Sequence, residues 1–185
     1  VHVLRRPVLV LALTAALGAC SLPDAAPLRP VAEPAVPGIV PVPDNAQEAV
    51  VVRVTDGDTV VLRGRGTGPL PGEPTKVRVL LVDTPEVHGE PECFGPEASV
   101  RTEALVPPGS RVRVQADQDR EDRFGRTLLH VWTEQGANLG ETLLAEGYAT
   151  VLQIDPNRRY LEQFQARERQ ARAAGLGLWA ACDAD

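Results

Sequence analysis

A small closed β-barrel carrying helices is the fold class this sequence predicts for residues 49–183, and three observations predict it. Five short runs rich in β-branched residues follow one another, broken by Gly, Pro and Asp turns. A helical stretch is inserted after the third run, and two more follow the fifth. The strand candidates are Val50 to Thr55, Thr59 to Arg63, Lys76 to Val82, Arg111 to Gln115 and Thr127 to Trp132.

The first helix is expected to begin near Pro96, because proline suits a first helical turn and Glu97 complements the helix dipole there. It stops before Pro107-Pro108-Gly109. The second is expected to start from Asn138 as N-cap, to carry Leu139, Leu143 and Leu144 at helical spacing and to end at Gly147. The third is expected to begin at Asn157 and to present Tyr160, Leu161, Phe164 and Ala171 along one side. Five strands with a helix after the third fit an OB-type barrel.

Residues 1–19 read as an export signal: Arg5 and Arg6 precede an apolar run from Val8 to Ala16, far shorter than the ~20 residues of a membrane-spanning helix. Leu17-Gly18-Ala19-Cys20 resembles a lipoprotein cleavage box, so Cys20 is the expected lipidation site and the expected membrane anchor. Residues 20–48 are expected to form a semi-rigid tether, since residues 21–48 hold seven prolines and no hydrophobic period. The expected location is extracytoplasmic, on the bacterial cell envelope or secreted. Cys93 and Cys182 then remain as an even pair in an oxidising compartment, and a disulfide between them is expected over two independent thiols.

Three segments carry the chemistry: Asp56-Gly57-Asp58-Thr59, Arg78 through Asp83-Thr84-Pro85-Glu86, and Asp122-Arg123-Phe124-Gly125-Arg126. Alone, Asp-Gly between two strands is a hairpin turn. In order, the three supply carboxylates for a hard cation, one further carboxylate and two arginines, a set suited to phosphodiester hydrolysis. The formal net charge of −6 runs against simple electrostatic capture of a polyanion; from residue 49 onward 16 basic side chains face 21 acidic ones. Binding to nucleic acid would therefore need locally clustered arginines or a metal ion.

Residues 50–180 resemble the staphylococcal nuclease family, or thermonucleases, through these segments together with Phe94-Gly95-Pro96-Glu97-Ala98-Ser99, the Asn138 helix, Pro156-Asn157 and Leu178-Trp179. The resemblance implies an OB-fold of five strands and three helices. It also implies a calcium-dependent nuclease of little base specificity, acting on DNA and RNA to leave 3′-phosphate products; no protein partner is evident in the sequence, and a monomer is expected. Carried over by residue, Asp58, Asp83 and the Thr84 carbonyl match the ligands of one Ca²⁺, with Asp56 behind them. Glu86 matches the general base, Arg78 and Arg126 match the catalytic arginines, and Arg123 and Phe124 match substrate-binding positions.

The sequence departs from that pattern around the nucleotide. Phe124 stands where the family commonly has tyrosine, Arg123 where it often has lysine, and Val151 to Asp155 lacks two expected tyrosines. A phenylalanine stacks but donates no hydrogen bond to phosphate. The alternative reading is a non-catalytic OB module that binds nucleic acid or protein, against which stands the joint presence of Asp58, Arg78, Asp83, Glu86 and Arg126. His88, beside Glu90 and Glu92, and His130, in a strand, are expected to be a solvated loop residue and a structural residue.

Overall fold

The computed structural model describes residues 40–182; the leader, Cys20 and the tether as far as residue 39 lie outside the described residues. Five strands form the barrel: β1 (Gln47–Val54), β2 (Thr59–Gly64), β3 (Pro74–Val79), β4 (Arg111–Gln115) and β5 (Thr127–Trp132). It closes in the order β1-β2-β3-β5-β4, and the β3–β5 pair is parallel while the others are antiparallel. This is the five-stranded barrel expected of an OB-type chain. Alternation supplies the core: Val51, Val60, Leu62, Val77 and Val79 point inward and are buried, whereas Arg63 and Lys76 are exposed, and a bulge between Val51 and Arg53 turns Arg53 outward as well.

Helix α1 (Gly95–Leu105) follows β3 and carries Pro96 and Glu97 in its first turn, as the sequence predicts. Helix α2 (Leu139–Ala145) is capped by the Asn138 side chain, which accepts from the Glu141 N–H at 3.0 Å. It packs against α3 (Leu161–Ala173), and Leu139, Leu143, Leu144 and Phe164 are fully buried. A four-residue helix, α4 (Leu178–Ala181), closes the described chain.

Beyond earlier starts of β1 and β3 by three and two residues, the structure differs from the expected boundaries in three places. β3 ends at Val79 rather than Val82, because Leu81 adopts φ 65° and turns the buried Leu80-Leu81-Val82 run away from the sheet. Helix α3 begins four residues after Asn157, whose buried side chain instead accepts the Asp119 N–H at 2.8 Å. The packed chain also reaches back to Val40, ahead of the expected start at residue 49. Val40 is buried, its N–H donates to Glu141 Oε2 at 2.8 Å and its carbonyl accepts from Trp132 Nε1 at 3.1 Å. Glu141 is itself buried and paired with Arg167 Nε at 2.8 Å, so a charge at the α2 start fastens the incoming strap.

Cys93 and Cys182 form a disulfide with Cα atoms 5.8 Å apart, joining residues 89 positions distant. It ties α4 to the segment just before α1. His130 lies in the core, edge-on to Tyr160 with ring centroids 4.9 Å apart, and both ring nitrogens lack a hydrogen-bond partner. Burial holds its pKa down to about 3, so the ring is neutral and structural.

Candidate active site

Arg78 is the centre of the first cluster. It sits in the outward register of β3, opposite Thr59 on β2 and Leu128 on β5, yet loops fold over it and leave it 4% exposed. Its Nη2 meets Asp58 Oδ2 at 2.9 Å and Asp83 Oδ1 at 2.6 Å, so two carboxylates converge on one nitrogen. Its Nη1 donates to the Val79 carbonyl at 3.1 Å and to the Val82 carbonyl. The turn at Leu81 is what brings Val82 and Asp83 back over the strand that carries Arg78.

Asp58 is placed by the hairpin turn between β1 and β2. Its Oδ1 accepts from Thr59 Oγ1 at 2.9 Å and its Oδ2 from the Thr84 N–H at 3.2 Å, while its own N–H donates to Asp56 Oδ1 at 3.2 Å. Gly57 is required there: a Cβ would stand 2.6 Å from Thr84 Oγ1. The Gly57 carbonyl accepts from the buried Thr102 hydroxyl of α1, which fixes the turn from behind. Burial pushes the Asp58 carboxyl up to about 6, against the pull of Arg78 and with a further push from Asp56. Two carboxylates on one guanidinium, with Asp56 close behind Asp58, leave the cluster short of positive charge.

Asp83 is held by its backbone, which exchanges hydrogen bonds with Thr150 at 2.9 and 2.8 Å, while half its side chain faces solvent. Glu86 lies three residues further along the same loop with an exposed side chain. Its N–H donates to Glu92 Oε2 at 2.9 Å and its carbonyl accepts from the Glu92 N–H at 2.9 Å. Gly95 is equally constrained, because a Cβ would stand 2.5 Å from the Glu86 carbonyl oxygen. Cys93 sits between these contacts, so the disulfide borders the loop that carries Glu86. Asp83, Thr84, Glu92 and both cysteines line one cleft of about 300 Å³.

Arg126 belongs to a second cluster, outside the direct contacts of the first. Its Nε meets Asp122 Oδ2 at 2.6 Å, and Asp122 Oδ1 accepts from the backbone N–H groups of Phe124 and Arg126, both at 2.9 Å. Burial alone would raise the Asp122 carboxyl, but the hydrogen bonds from Arg126 and Phe124 outweigh it and hold the group below the usual carboxylate range. Phe124 is 67% exposed, with Arg123 Cζ 4.6 Å and Arg126 Cζ 5.5 Å from its ring centre. These residues line a cleft of about 490 Å³ with Leu128, Leu152 and Ile154. Leu152 and Ile154 put aliphatic side chains where the sequence lacks tyrosine.

The sheet joins the two clusters. Leu128 lines the Arg126 cleft and pairs in register with Arg78, and Arg126 lies two residues before Leu128, hence on the same face. The structure therefore brings Asp56, Asp58, Arg78, Asp83 and Thr84 into contact, places Glu86 on their loop, and sets Arg123, Phe124 and Arg126 on the adjoining face. Among the described residues no three His, Cys, Asp or Glu side chains form a group that could hold a metal ion. The donors offered by the first cluster are the two carboxylates of Asp58 and Asp83, hard oxygens with positions left for water and phosphate. The larger cleft, about 610 Å³ between the Val42-Pro43-Asp44 strap and β4, holds none of these residues.

Sequence reasoning assigns no individual role to Thr59, Asp122 and Glu92, which lie in or beside the motifs, and finds no sign of Thr102. Of these only Asp122 had a readable signal, an acid four residues before Arg126 across a glycine turn. The others act through contacts that spacing does not reveal.

Residues 76–181 match the family described as Staphylococcal nuclease homologue, more than half of the 185-residue chain. Endonuclease YncB of Bacillus subtilis (strain 168) is 37% identical over 132 residues, covering 69% of this chain and 59% of that protein. SPbeta prophage-derived endonuclease YokF of the same organism is 36% identical over 132 residues, covering 69% and 42%. Thermonuclease of Staphylococcus hyicus is 32% identical over 138 residues, covering 73% and 77%. The chain thus spans less than two thirds of the two Bacillus proteins and most of the thermonuclease. Barrel, motif order and these matches agree, and the chain belongs to the staphylococcal nuclease homologue family.

Proposed function

We propose that this domain is a nuclease that hydrolyses phosphodiester bonds of DNA and RNA with one Ca²⁺, leaving 3′-phosphate ends. The observation that carries the reading is the convergence of Asp58 and Asp83 on Arg78, on the same barrel face as the Arg126 cleft. The donor set fits a calcium ion: Asp58 and Asp83 would hold it with the Thr84 carbonyl, Asp56 standing behind, and the excess of carboxylates over guanidinium favours a divalent cation. Bound there, the ion supplies Lewis-acid polarisation of a phosphoryl oxygen.

The remaining chemistry belongs to the chain. Arg126 is tied to Asp122 through Nε, which orients its fork toward the cleft, where it grips phosphate oxygens as charge builds in the transition state. Arg78 supplies the second guanidinium and sets the spacing of the two carboxylates. The Glu86 carboxylate, exposed on a loop pinned by Glu92 and Gly95, accepts the proton of the attacking water. Phe124 offers a stacking face to a base.

Location follows the same reading. The Cys93–Cys182 disulfide supports an oxidising compartment, and lipid attachment at Cys20 would hold the domain at the envelope. The test of the activity is incubation of the purified protein with denatured DNA and with RNA in calcium, magnesium or chelator, beside Glu86→Gln. Calcium-dependent cleavage that falls by ~10² or more in Glu86→Gln is the expected result. A folded protein that binds calcium and cuts neither substrate would establish the non-catalytic module instead.

A further inference from the structure

The sheet face that carries Arg78 continues beyond the active site. On β3, Lys76 shares the outward register with Arg78; Lys76 pairs with Val61 on β2, and Val61 pairs with Arg53 on β1. Arg63, two residues along β2, lies on the same face, and Arg65 follows just past the strand end, its N–H on the Glu48 carbonyl at 2.8 Å. Extending the parallel β3–β5 ladder by one residue from the Val77–Thr127 pair sets Arg126 beside Lys76. One row across the barrel thus runs Arg126, Lys76, Val61, Arg53.

These outer cations differ from most others in the molecule. Arg101 is bound to Glu146, Arg111 to Glu134, Arg158 to Asp155 and Arg159 to Asp117. Arg53, Arg63, Arg65 and Lys76 are exposed, and among the described residues none of them forms an ion pair with a carboxylate. Across β1, β2 and β3 the sole acid is Glu48, and it is taken by Arg113 at 3.3 Å. The chain has a single lysine, and it stands in this row. An acidic protein has therefore left one face with free positive charge, next to the site that handles phosphate.

We propose that this face is a second binding surface for the phosphate backbone of single-stranded nucleic acid, leading away from Arg126 across Lys76 to Arg53 and Arg63. The inference rests on the nuclease reading. Strands lie ~4.8 Å apart and alternate outward residues ~6.6 Å apart, so the cations are spaced to follow an extended backbone over several nucleotides. Continuity with the Arg126 cleft favours nucleic acid over an anionic lipid surface, which would have no need of a row ending at the reaction centre. It also resolves the charge balance: net repulsion limits capture from afar, while a local strip of unpaired cations holds substrate once it arrives.

The experiment compares the wild type with Arg53→Gln/Arg63→Gln/Lys76→Gln and with the matching triple Glu variant, after thermal melts show that both fold. Binding of a 20-nucleotide single strand is read by fluorescence anisotropy in chelator across a salt series, and cleavage of the same strand and of a dinucleotide phosphodiester in calcium. For the long strand Kd is expected to rise about tenfold in the Gln variant and further in the Glu variant, and the slope of log Kd against log salt to fall by about 2, near 0.7 for each lost contact. The dinucleotide, too short to reach the strip, should be cleaved with unchanged kcat and KM.

Unchanged binding and salt slope for the long strand would overturn the proposal, as would equal losses on both substrates. So would vesicles of anionic phospholipid that bind the wild type and not the variants while the long strand binds both alike. If the wild type cuts neither substrate, the nuclease reading fails, and the anisotropy series still decides the surface.

Discussion

Two arginine–aspartate pairs of nearly equal length behave differently in this molecule. Arg78 and Asp58 are both almost wholly enclosed, whereas Arg126, on Asp122, keeps 26% of its side chain exposed. Arg78 spends its donors on two carboxylates and two carbonyls, so it holds β3, the Leu81 turn and the β1–β2 hairpin together. Arg126 spends Nε on one acid and leans over Phe124. The same pair of side chains is closed over in one region and half-open to a cleft in the other, and the exposure of the arginine, not of its acid, makes the difference.

The largest effect that sharpens this contrast is removal of the disulfide. Cys93→Ser/Cys182→Ser opens an 89-residue separation and should cost roughly 4–5 kcal/mol in chain entropy. Hydrogen exchange should show the added opening on the Asp83–Glu92 side, with the Asp122–Arg126 turn spared. Equal loosening of both would break the contrast.

Next come the arginines themselves. Arg78→Ala leaves Asp58 buried without its partner and should destabilise by about 3–5 kcal/mol in urea unfolding. Arg126→Ala should cost ~1 kcal/mol or less, the scale of a partly solvated pair. Arg126→Lys keeps the charge but loses the fork, so kcat should fall on the order of a hundredfold with the urea midpoint unmoved.

The two acids should respond to pH with opposite sign. Asp58 binds its proton more tightly when folded, up to about 6 against an ordinary 3.8, so its contribution to stability is lost as pH rises through that window. In chelator, Asp58→Asn should gain on the wild type between pH 4 and pH 7, by ~3 kcal/mol at most. Asp122 is held below its ordinary value, so its stabilisation is present at neutral pH and fades on acidification. Asp122→Asn should therefore be less stable than the wild type at pH 7, and the gap should close in acid. Parallel melts across pH check both.

Two glycines extend the comparison to the backbone. Gly57→Ala drives a methyl against Thr84 and should cost ~1–3 kcal/mol, displacing the Asp58 turn. Gly125 has φ 74°, and an added Cβ would meet only the Glu121 Oε1 tip, at an ordinary 3.4 Å, so Gly125→Ala should cost ~1–2 kcal/mol, mainly from the backbone. Calcium affinity, read by calorimetry, should fall in the first and hold in the second.

Much of this was legible in the sequence. Alternation placed the strands to within a few residues, and Pro96 and Asn138 marked two helix starts, because those signals are local. The Leu81 turn was not, since a leucine at positive φ is paid for by burial of Leu80 and Val82 that no local rule describes. The strap from Val40 escaped for a similar reason: it has no period of its own and is fastened by Glu141 and Trp132, about a hundred positions away. At the candidate site, motif order pointed to Asp58, Arg78, Asp83 and Arg126. Of the supports, Asp122 was readable from its place four residues before Arg126, whereas Thr59, Glu92 and above all Thr102, which reaches from α1 to the Gly57 carbonyl, became visible only through their hydrogen bonds.

The most direct test of the central claim, that Asp58 and Asp83 serve one calcium ion beside two arginines, is a calcium titration of denatured-DNA cleavage by the wild type and Asp83→Asn. Asp83 is chosen because half its side chain is in solvent, so the fold should survive the change. The expected result is no cleavage in chelator, saturation by calcium in the wild type, and a calcium requirement raised at least about tenfold in Asp83→Asn, since site affinity follows the charged-ligand count. Cleavage that persists in chelator, or an Asp83→Asn curve lying on that of the wild type, would contradict it.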